Sequence, residues 1–295
     1  MKQSIMCGLI SGALAISGCA QGGDASGASS APSIQAAPED VSEKDDSMTG
    51  LKPPSPDSVL YFVYQRDGDG AHSFQVEGGA TVGYWYGYAF DLEGEHYFTG
   101  FTSRSAGTEG AEADTTTMEE GRVAIGQVTL VQKVESGQAG WSQIATDGFV
   151  GEFGRLDQPE MVDESRRAVS RELGGGRLIL GVPTRLFEDG VAMSNYALFL
   201  FNKNGLPQTP FRVWTYVGTV QAGSDNAEAC EGGVMTCAAS TGELQFEPSA
   251  GESLPRIHIV QSGETIAGPG RSRPLGPEDA LVFEFDANTG RYQAR

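Results

Sequence analysis

From Ser58 to Arg295 the sequence consists of short apolar segments that alternate with polar residues and are separated by turn signals. Asn202–Gly205 and Asp286–Gly290 are two such turns, rich in the residues that tight turns prefer. Short segments with period-two alternation predict strands, and many such strands in succession predict an all-β fold, an antiparallel sandwich or open barrel. The strands are expected at residues 59–64, 82–90, 96–101, 122–134, 141–153, 177–187, 191–201, 211–217, 244–246, 256–260 and 281–285.

One segment departs from this pattern and predicts a short helix near residues 159–173. Asp157–Glu160 has the form of a helix-capping box, and the apolar residues that follow fall on one helical side. Gly174–Gly176 would end the helix. The helix would join two β halves or pack across one end of a single domain. The predicted β-rich region is therefore residues 58–295, or two halves at residues 58–156 and 177–295.

Aromatic side chains occupy every second position in the segment that runs from Val82 to Phe90. Because alternate residues of a strand point to the same face, these side chains are expected to form one row. Such a row can contact a sugar ring or a partner's side chains, or it can fill the interior of the fold. The candidate ligand-contact face consists of Tyr84, Tyr86, Tyr88 and Phe90.

The first 19 residues have the layout of a secretory signal peptide, with Lys2 ahead of an apolar run at Ile5–Ile16. This run is too short to span a bilayer, which needs about 20 residues. The ending Ile16–Cys19 (Ile-Ser-Gly-Cys) resembles the bacterial lipoprotein signal. The resemblance covers these 19 residues alone. A simple secretory peptide cleaved after Ala15 or Ala20 is the alternative.

The lipoprotein resemblance implies a signal peptide at residues 1–18 and a mature chain that begins at a lipidated Cys19. This cysteine would carry a diacylglycerol and a further acyl chain such as palmitate, enough for stable anchoring in a membrane. Ala20 stands where an aspartate commonly retains a lipoprotein in the inner membrane of Gram-negative bacteria, so the resemblance implies the outer membrane. Residues 19–57 are rich in Ala, Gly, Ser, Pro and acidic residues, which predicts a flexible tether.

The four cysteines fit this location, because Cys7 would leave with the signal peptide and Cys19 would be lipidated. Cys230 and Cys237 remain, and a pair in an oxidising compartment is expected to form a disulfide. Two thiols with no nearby histidine make a poor zinc site, so we expect no metal.

The sequence contains few residues or motifs that indicate a catalytic or cofactor-binding site. There is no recognisable nucleophile motif or phosphate-binding glycine loop, so no cofactor and no catalytic residue is assigned. Carboxylates near strand ends could form a glycosidase pair; examples are Asp91, Glu93, Glu95, Glu152 and Glu243. The formal net charge of −19 argues against nucleic acid as a partner.

Two functional hypotheses follow. In the favoured one, the chain is a lipid-anchored envelope protein that presents a non-catalytic β-rich module for binding or scaffolding another envelope protein or a glycan. In the alternative, it is an envelope hydrolase that cleaves glycans with a carboxylate pair beside an aromatic platform. The alternative predicts three exposed tyrosines, Tyr84, Tyr86 and Tyr88, in a groove beside two acids about 5–10 Å apart.

Overall fold

The computed structural model describes residues 51–106, 121–206, 209, 211–233, 235–248 and 254–295. This part of the chain is all-β, with antiparallel sheets, one of them curled into a half-barrel, and with a single short α-helix. The predicted fold class is confirmed. The predicted signal peptide, Cys19 and most of the predicted tether lie outside the described residues.

In the part of the chain that the structure describes, three antiparallel sheets follow one another after the helix α1 (Pro56–Tyr64). The first contains, in spatial order, β1 (Ser73–Gln75), β2 (Thr81–Leu92), β3 (Glu95–Arg104), β4 (Val123–Glu135) and β5 (Gln138–Phe153).

The second sheet contains β6 (Met161–Val162), β7 (Val169–Gly174), β8 (Arg177–Glu188), β9 (Val191–Asn202) and β10 (Trp214–Asp225). In this sheet β9 lies between β10 and β8, and both β6 and β7 pair with the other side of β8. The third sheet contains β11 (Ser240–Glu247), β12 (Arg256–Gly268), β13 (Arg271–Pro274), β14 (Leu281–Asp286) and β15 (Arg291–Ala294). Its order is β11-β12-β14-β15, with β13 also paired to β12.

The second sheet is the middle layer and is buried on both faces. Leu180 and Phe199 point into a core shared with the first sheet, whereas Ile179 and Leu198 point into a core shared with the third. Burial on both faces explains why Tyr196–Phe201 is an uninterrupted apolar run. The outer face of the first sheet packs against α1.

The helix predicted near residues 159–173 is wrong, because this segment forms β6 and β7. Met161 pairs with Arg185 and Val169 pairs with Gly181, so the segment adds an edge to β8. Gly174 has a φ of +76° in the turn that leads to β8. The helical spacing of the apolar residues was outweighed by the hydrogen bonds and apolar surface that β8 offers to a neighbouring strand.

The strand predicted at residues 59–64 is also wrong, since these residues form most of α1. Val59 and Leu60 are adjacent and both fully buried, which a half-buried strand does not allow. The helix fits closely because Gly100 has no side chain: a Cβ there would lie 2.4 Å from a methyl group of Val59. Lys52 already contacts the first sheet, because its carbonyl accepts a hydrogen bond from the Trp141 indole at 3.0 Å.

The pairing of β4 with β5 is irregular near Gly126, because the register shifts between Ile125 and Gln127. The extra residues lie in β5, which continues through Asp147 and Gly148 as a strand. Within the residues that the structure describes, no helix has the length and apolar character of a membrane span.

Candidate functional site

The predicted ligand-contact face is divided between the two sides of the first sheet. The register of β2 with β3 shifts between Tyr84 and Tyr86, where Trp85 forms a β-bulge. A bulge inserts one residue into the alternation. Tyr84 therefore packs beside α1, whereas Tyr86, Tyr88 and Phe90 lie on the side of the second sheet. The prediction that all four side chains share a face is wrong for Tyr84.

The three remaining rings form a stacked ladder that rises from the core towards solvent. Phe90 is buried in the core, whereas Tyr86 and Tyr88 are half-buried. The rings of Tyr86 and Tyr88 are stacked with centroids 6.5 Å apart, and those of Tyr88 and Phe90 are 5.6 Å apart. Burial raises the pKa of Tyr88 and raises the pKa of Tyr86 to about 12. Both hydroxyls are protonated at neutral pH, as in any tyrosine, and the raised pKa keeps them protonated to higher pH.

Tyr86 and Tyr88 lie where β2 meets the edge of the second sheet. Val162 and Ala168 are half-buried against the same core, and the Tyr88 hydroxyl donates to Ser170 Oγ at 2.7 Å. These five residues, Tyr86, Tyr88, Val162, Ala168 and Ser170, are here named the tyrosine seam.

The hydroxyl of Tyr86 is the open polar group of the tyrosine seam. It makes no hydrogen bond to any residue that the structure describes, and it is not one of the buried side-chain atoms left without a partner, so it reaches solvent. The indole of the preceding Trp85 is instead satisfied internally, by a 2.8 Å hydrogen bond to the carbonyl of Glu160. Tyr86 therefore presents a fixed ring and an unpaired hydroxyl to solvent.

The five candidate acids are divided among three places in the fold. Three lie at the β2–β3 turn, and each has its own partner: Asp91 with His96, Glu93 with Lys203, and Glu95 with the Tyr97 hydroxyl. The other two are placed elsewhere, Glu152 near the end of β5 and Glu243 on β11 in the third sheet. Glu243 is exposed, whereas Glu152 is half-buried.

A cleft of about 390 Å³ at the β1 end of the first sheet gathers serine, histidine and aspartate side chains, among them His72, Ser103 and Asp157. In the described part of the chain, His72 makes no hydrogen bond to a serine or to Asp157. The hydroxyl of Ser73 donates to the Val82 carbonyl at 2.9 Å instead. The cleft does not have the serine–histidine–aspartate hydrogen bonds that a catalytic triad uses.

Histidines and acids elsewhere form pairs rather than larger groups. His258 lies 3.0 Å from Glu247 and faces away from Ile257 and Ile259, as the alternation of β12 predicts. Over the described ranges, no three His, Cys, Asp or Glu side chains are placed to hold a metal ion.

The predicted disulfide between Cys230 and Cys237 is confirmed. It closes the loop between β10 and β11, with the Cα atoms 5.3 Å apart. Asn226 supports the same loop, because its side chain donates to the Thr236 carbonyl at 3.0 Å and accepts from the Ala238 amide at 2.7 Å. The bridge is a structural feature of this loop.

Sequence reasoning missed Glu160, a buried carboxylate that it had assigned to a helix cap. The side chain lies in a cleft of about 320 Å³ with Tyr216, Thr219 and Arg291. Glu160 is more than 50 positions from each of the other three in the sequence, and no local pattern links it to them. Only the pairing of the strands brings them together.

Comparison with known proteins gives no match: no family model fits the sequence, and no curated protein or solved structure is significantly similar to it.

Proposed function

We propose that this chain is a lipid-anchored protein of the cell envelope, most consistent with the outer membrane, whose β-sandwich is a non-catalytic module that binds another envelope protein. The anchor is inferred from the lipoprotein-like segment that ends at Cys19. The binding role rests on one observation, the tyrosine seam with its unpaired Tyr86 hydroxyl.

The tyrosine seam has the properties of a protein contact site. Tyrosine is enriched at interfaces because its ring supplies apolar area and its hydroxyl supplies a hydrogen bond. The stacking of Tyr86 on Tyr88, and the hydrogen bond from Tyr88 to Ser170, hold the rings in place before a partner arrives. A preformed surface loses little conformational entropy on binding, which favours affinity.

The net negative charge of the chain limits the kinds of partner that we expect. The chain has a formal net charge of −19, and Asp91, at the end of the strand that carries the tyrosines, has a side chain that is 81% exposed. Such a surface repels nucleic acid and anionic headgroups and attracts basic groups. We therefore expect a protein partner with a basic contact surface.

Site-specific photo-cross-linking in cells tests this proposal. A photoreactive amino acid at position 86 should give one discrete cross-linked product with a partner protein that mass spectrometry can identify. Tyr61 provides a matched control, since it is also a tyrosine but lies on α1 with 51% exposure. The same residue at position 61 should not give that product. The proposal is contradicted if position 86 gives no discrete product, or if position 61 gives the same one.

The glycan hydrolase hypothesis receives no specific support from the site. It requires Tyr84, Tyr86 and Tyr88 together in one groove, but the bulge at Trp85 separates the first from the other two. It also requires two neighbouring acids that are free to act, whereas those at the β2–β3 turn are engaged with His96, Lys203 and Tyr97. We therefore do not propose this activity.

A further inference from the structure

A second site is formed where the three sheets meet. Its cleft of about 320 Å³ is lined from the first sheet by Arg122, just before β4, and from the third sheet by Arg291 and Tyr292 on β15. The second sheet contributes Glu160, just before β6, and residues of β10. The cleft shares no residue with the tyrosine seam, and its volume is in the range that small-molecule sites occupy.

The carboxylate of Glu160 is the unusual group in this cleft, because it is buried and has only neutral partners. The residue is 6% exposed. One oxygen accepts a hydrogen bond from the Thr184 hydroxyl at 2.5 Å, and the other accepts from the Thr219 hydroxyl at 3.2 Å. Among the described residues, no cationic side chain forms an ion pair with it. A carboxylate offers about four acceptor positions, so two remain for a further donor.

The position of Thr219 is fixed by its neighbours on β10. The Tyr216 hydroxyl lies 2.7 Å from the Thr219 hydroxyl, which in turn donates to Glu160. The pairing of β10 with β9 is irregular between Tyr216 and Gly218, and Gly218 has a φ of +112°, in the region that glycine favours. This bulge turns the tyrosine and threonine side chains into the same cleft.

Arg291 provides the opposite charge with donors to spare. Its guanidinium lies over the Tyr216 ring, 4.6 Å from the centroid, and one nitrogen donates to the Tyr216 carbonyl. Within the described ranges it makes no salt bridge. Since a guanidinium has five N–H donors, most of them remain open to a ligand. Arg122 adds a second positive charge to the cleft, although it also donates to the carbonyls of Gly154 and Glu152.

We propose that this cleft binds a small zwitterion of the amino-acid class, with its ammonium group at Glu160 and its carboxylate at Arg291. Glu160 is buried and makes no direct ion pair among the described residues, so an ammonium group would add both a direct ion pair and hydrogen bonds at this carboxylate. A guanidinium with unused donors is well suited to a carboxylate, which it can bind through two parallel hydrogen bonds. A ligand with only one of these charges would leave the other protein group unmatched.

Isothermal titration calorimetry on the full-length protein in detergent tests this inference, with the twenty common L-amino acids tried singly up to 10 mM. We expect at least one to bind. For each one that binds, the amine that lacks the carboxylate and the acid that lacks the amine should both bind at least tenfold more weakly. The inference is overturned if no amino acid binds at 10 mM, or if either analogue binds as well as the zwitterion.

Two variants test which protein side chain binds each charged group of the ligand, and a third variant serves as the control. Arg291→Gln and Glu160→Gln should each weaken binding at least tenfold. Arg271→Gln, which removes an exposed arginine of β13 from outside the cleft, should leave it unchanged. If Glu160→Gln prevents folding, Arg291→Gln still decides the outcome, because unaltered affinity in that variant contradicts the proposed carboxylate contact. Cross-linking at Tyr86 is independent of these results, so either proposal can fail alone.

Discussion

Asp163 shows how one buried carboxylate organises the connection between β6 and β7. It is 4% exposed, and its oxygens accept hydrogen bonds from Ser165 Oγ at 2.6 Å and from Arg166 Nε at 2.9 Å. Arg185 lies 3.5 Å away. Asp163 therefore forms direct ion pairs with two arginines, whereas Glu160 forms none among the described residues. Burial acts to raise the pKa of Asp163, but the hydrogen bonds from Ser165 and Arg166 and the charge of Arg185 lower it below its ordinary value.

This lowered pKa predicts how the variant Asp163→Asn responds to pH. Near pH 7 the variant should lower the free energy of unfolding by about 2 kcal/mol, because it leaves the charge of Arg166 poorly matched. The contribution of Asp163 is fully present above its unfolded-state pKa of about 3.9 and is lost as the pH falls through the lower folded-state pKa. Urea unfolding of both proteins between pH 7 and pH 3 measures the difference. A difference that stays constant or grows towards acid pH contradicts the assignment.

At the scale of the element, the fit of α1 on the first sheet depends on Gly100. Gly100→Ala places a methyl group against Val59 and should lower the free energy of unfolding by about 1–3 kcal/mol through overpacking. In the double variant with Val59→Ala, the two losses should not add, because the second substitution creates the space that the first one needs. Denaturant unfolding of the two single variants and the double variant measures this coupling.

Gly140→Ala is the control for this prediction. Gly140 lies on β5 of the same sheet, and a Cβ at that position would have no neighbour within 4 Å. We expect a change within about 0.5 kcal/mol, as for other surface substitutions. Additive losses for Gly100→Ala and Val59→Ala, or an equal loss for Gly140→Ala, would show that close packing of α1 is not the cause.

Two elements were predicted wrongly because neighbouring elements, rather than their own residues, determine their structure. Val59–Tyr64 is rich in β-branched and aromatic residues, which favours a strand locally, but the open surface above Gly100 accepts a helix. Residues 161–174 have helical spacing, but β8 offers an unpaired edge. By contrast, β2, β3 and β9 were predictable, because their alternation and flanking turns are encoded within the segment itself.

The candidate site was predictable only in part, for the same reason. The alternation of β2 correctly places Tyr86, Tyr88 and Phe90 on one face, but nothing local indicates the bulge that moves Tyr84 to the other. Glu160 becomes notable only once the three sheets are assembled around it. Local pattern therefore identified the strand that carries the tyrosines, and tertiary pairing decided which of them are accessible.

For the molecule as a whole, membrane attachment would come from the proposed lipid anchor and not from the acidic domain. A strongly negative domain is repelled by anionic headgroups and gains no membrane affinity from its own charge. Membrane association would then depend on the lipid at Cys19 alone. If one lipidated residue accounts for the membrane binding, a single substitution at that residue tests the proposed anchor.

We predict that Cys19→Ser abolishes labelling of the protein with radioactive palmitate. The expected loss of label is nearly complete, because the proposed acyl chains are all attached at residue 19. Cys7→Ser is the control, since this cysteine precedes the predicted cleavage site and its loss should not alter the labelling. Density-gradient separation of the membranes should then place the unaltered protein with the outer membrane. Persistent palmitate labelling of Cys19→Ser would refute the lipid anchor while leaving the tyrosine seam and the zwitterion cleft to be judged by their own experiments.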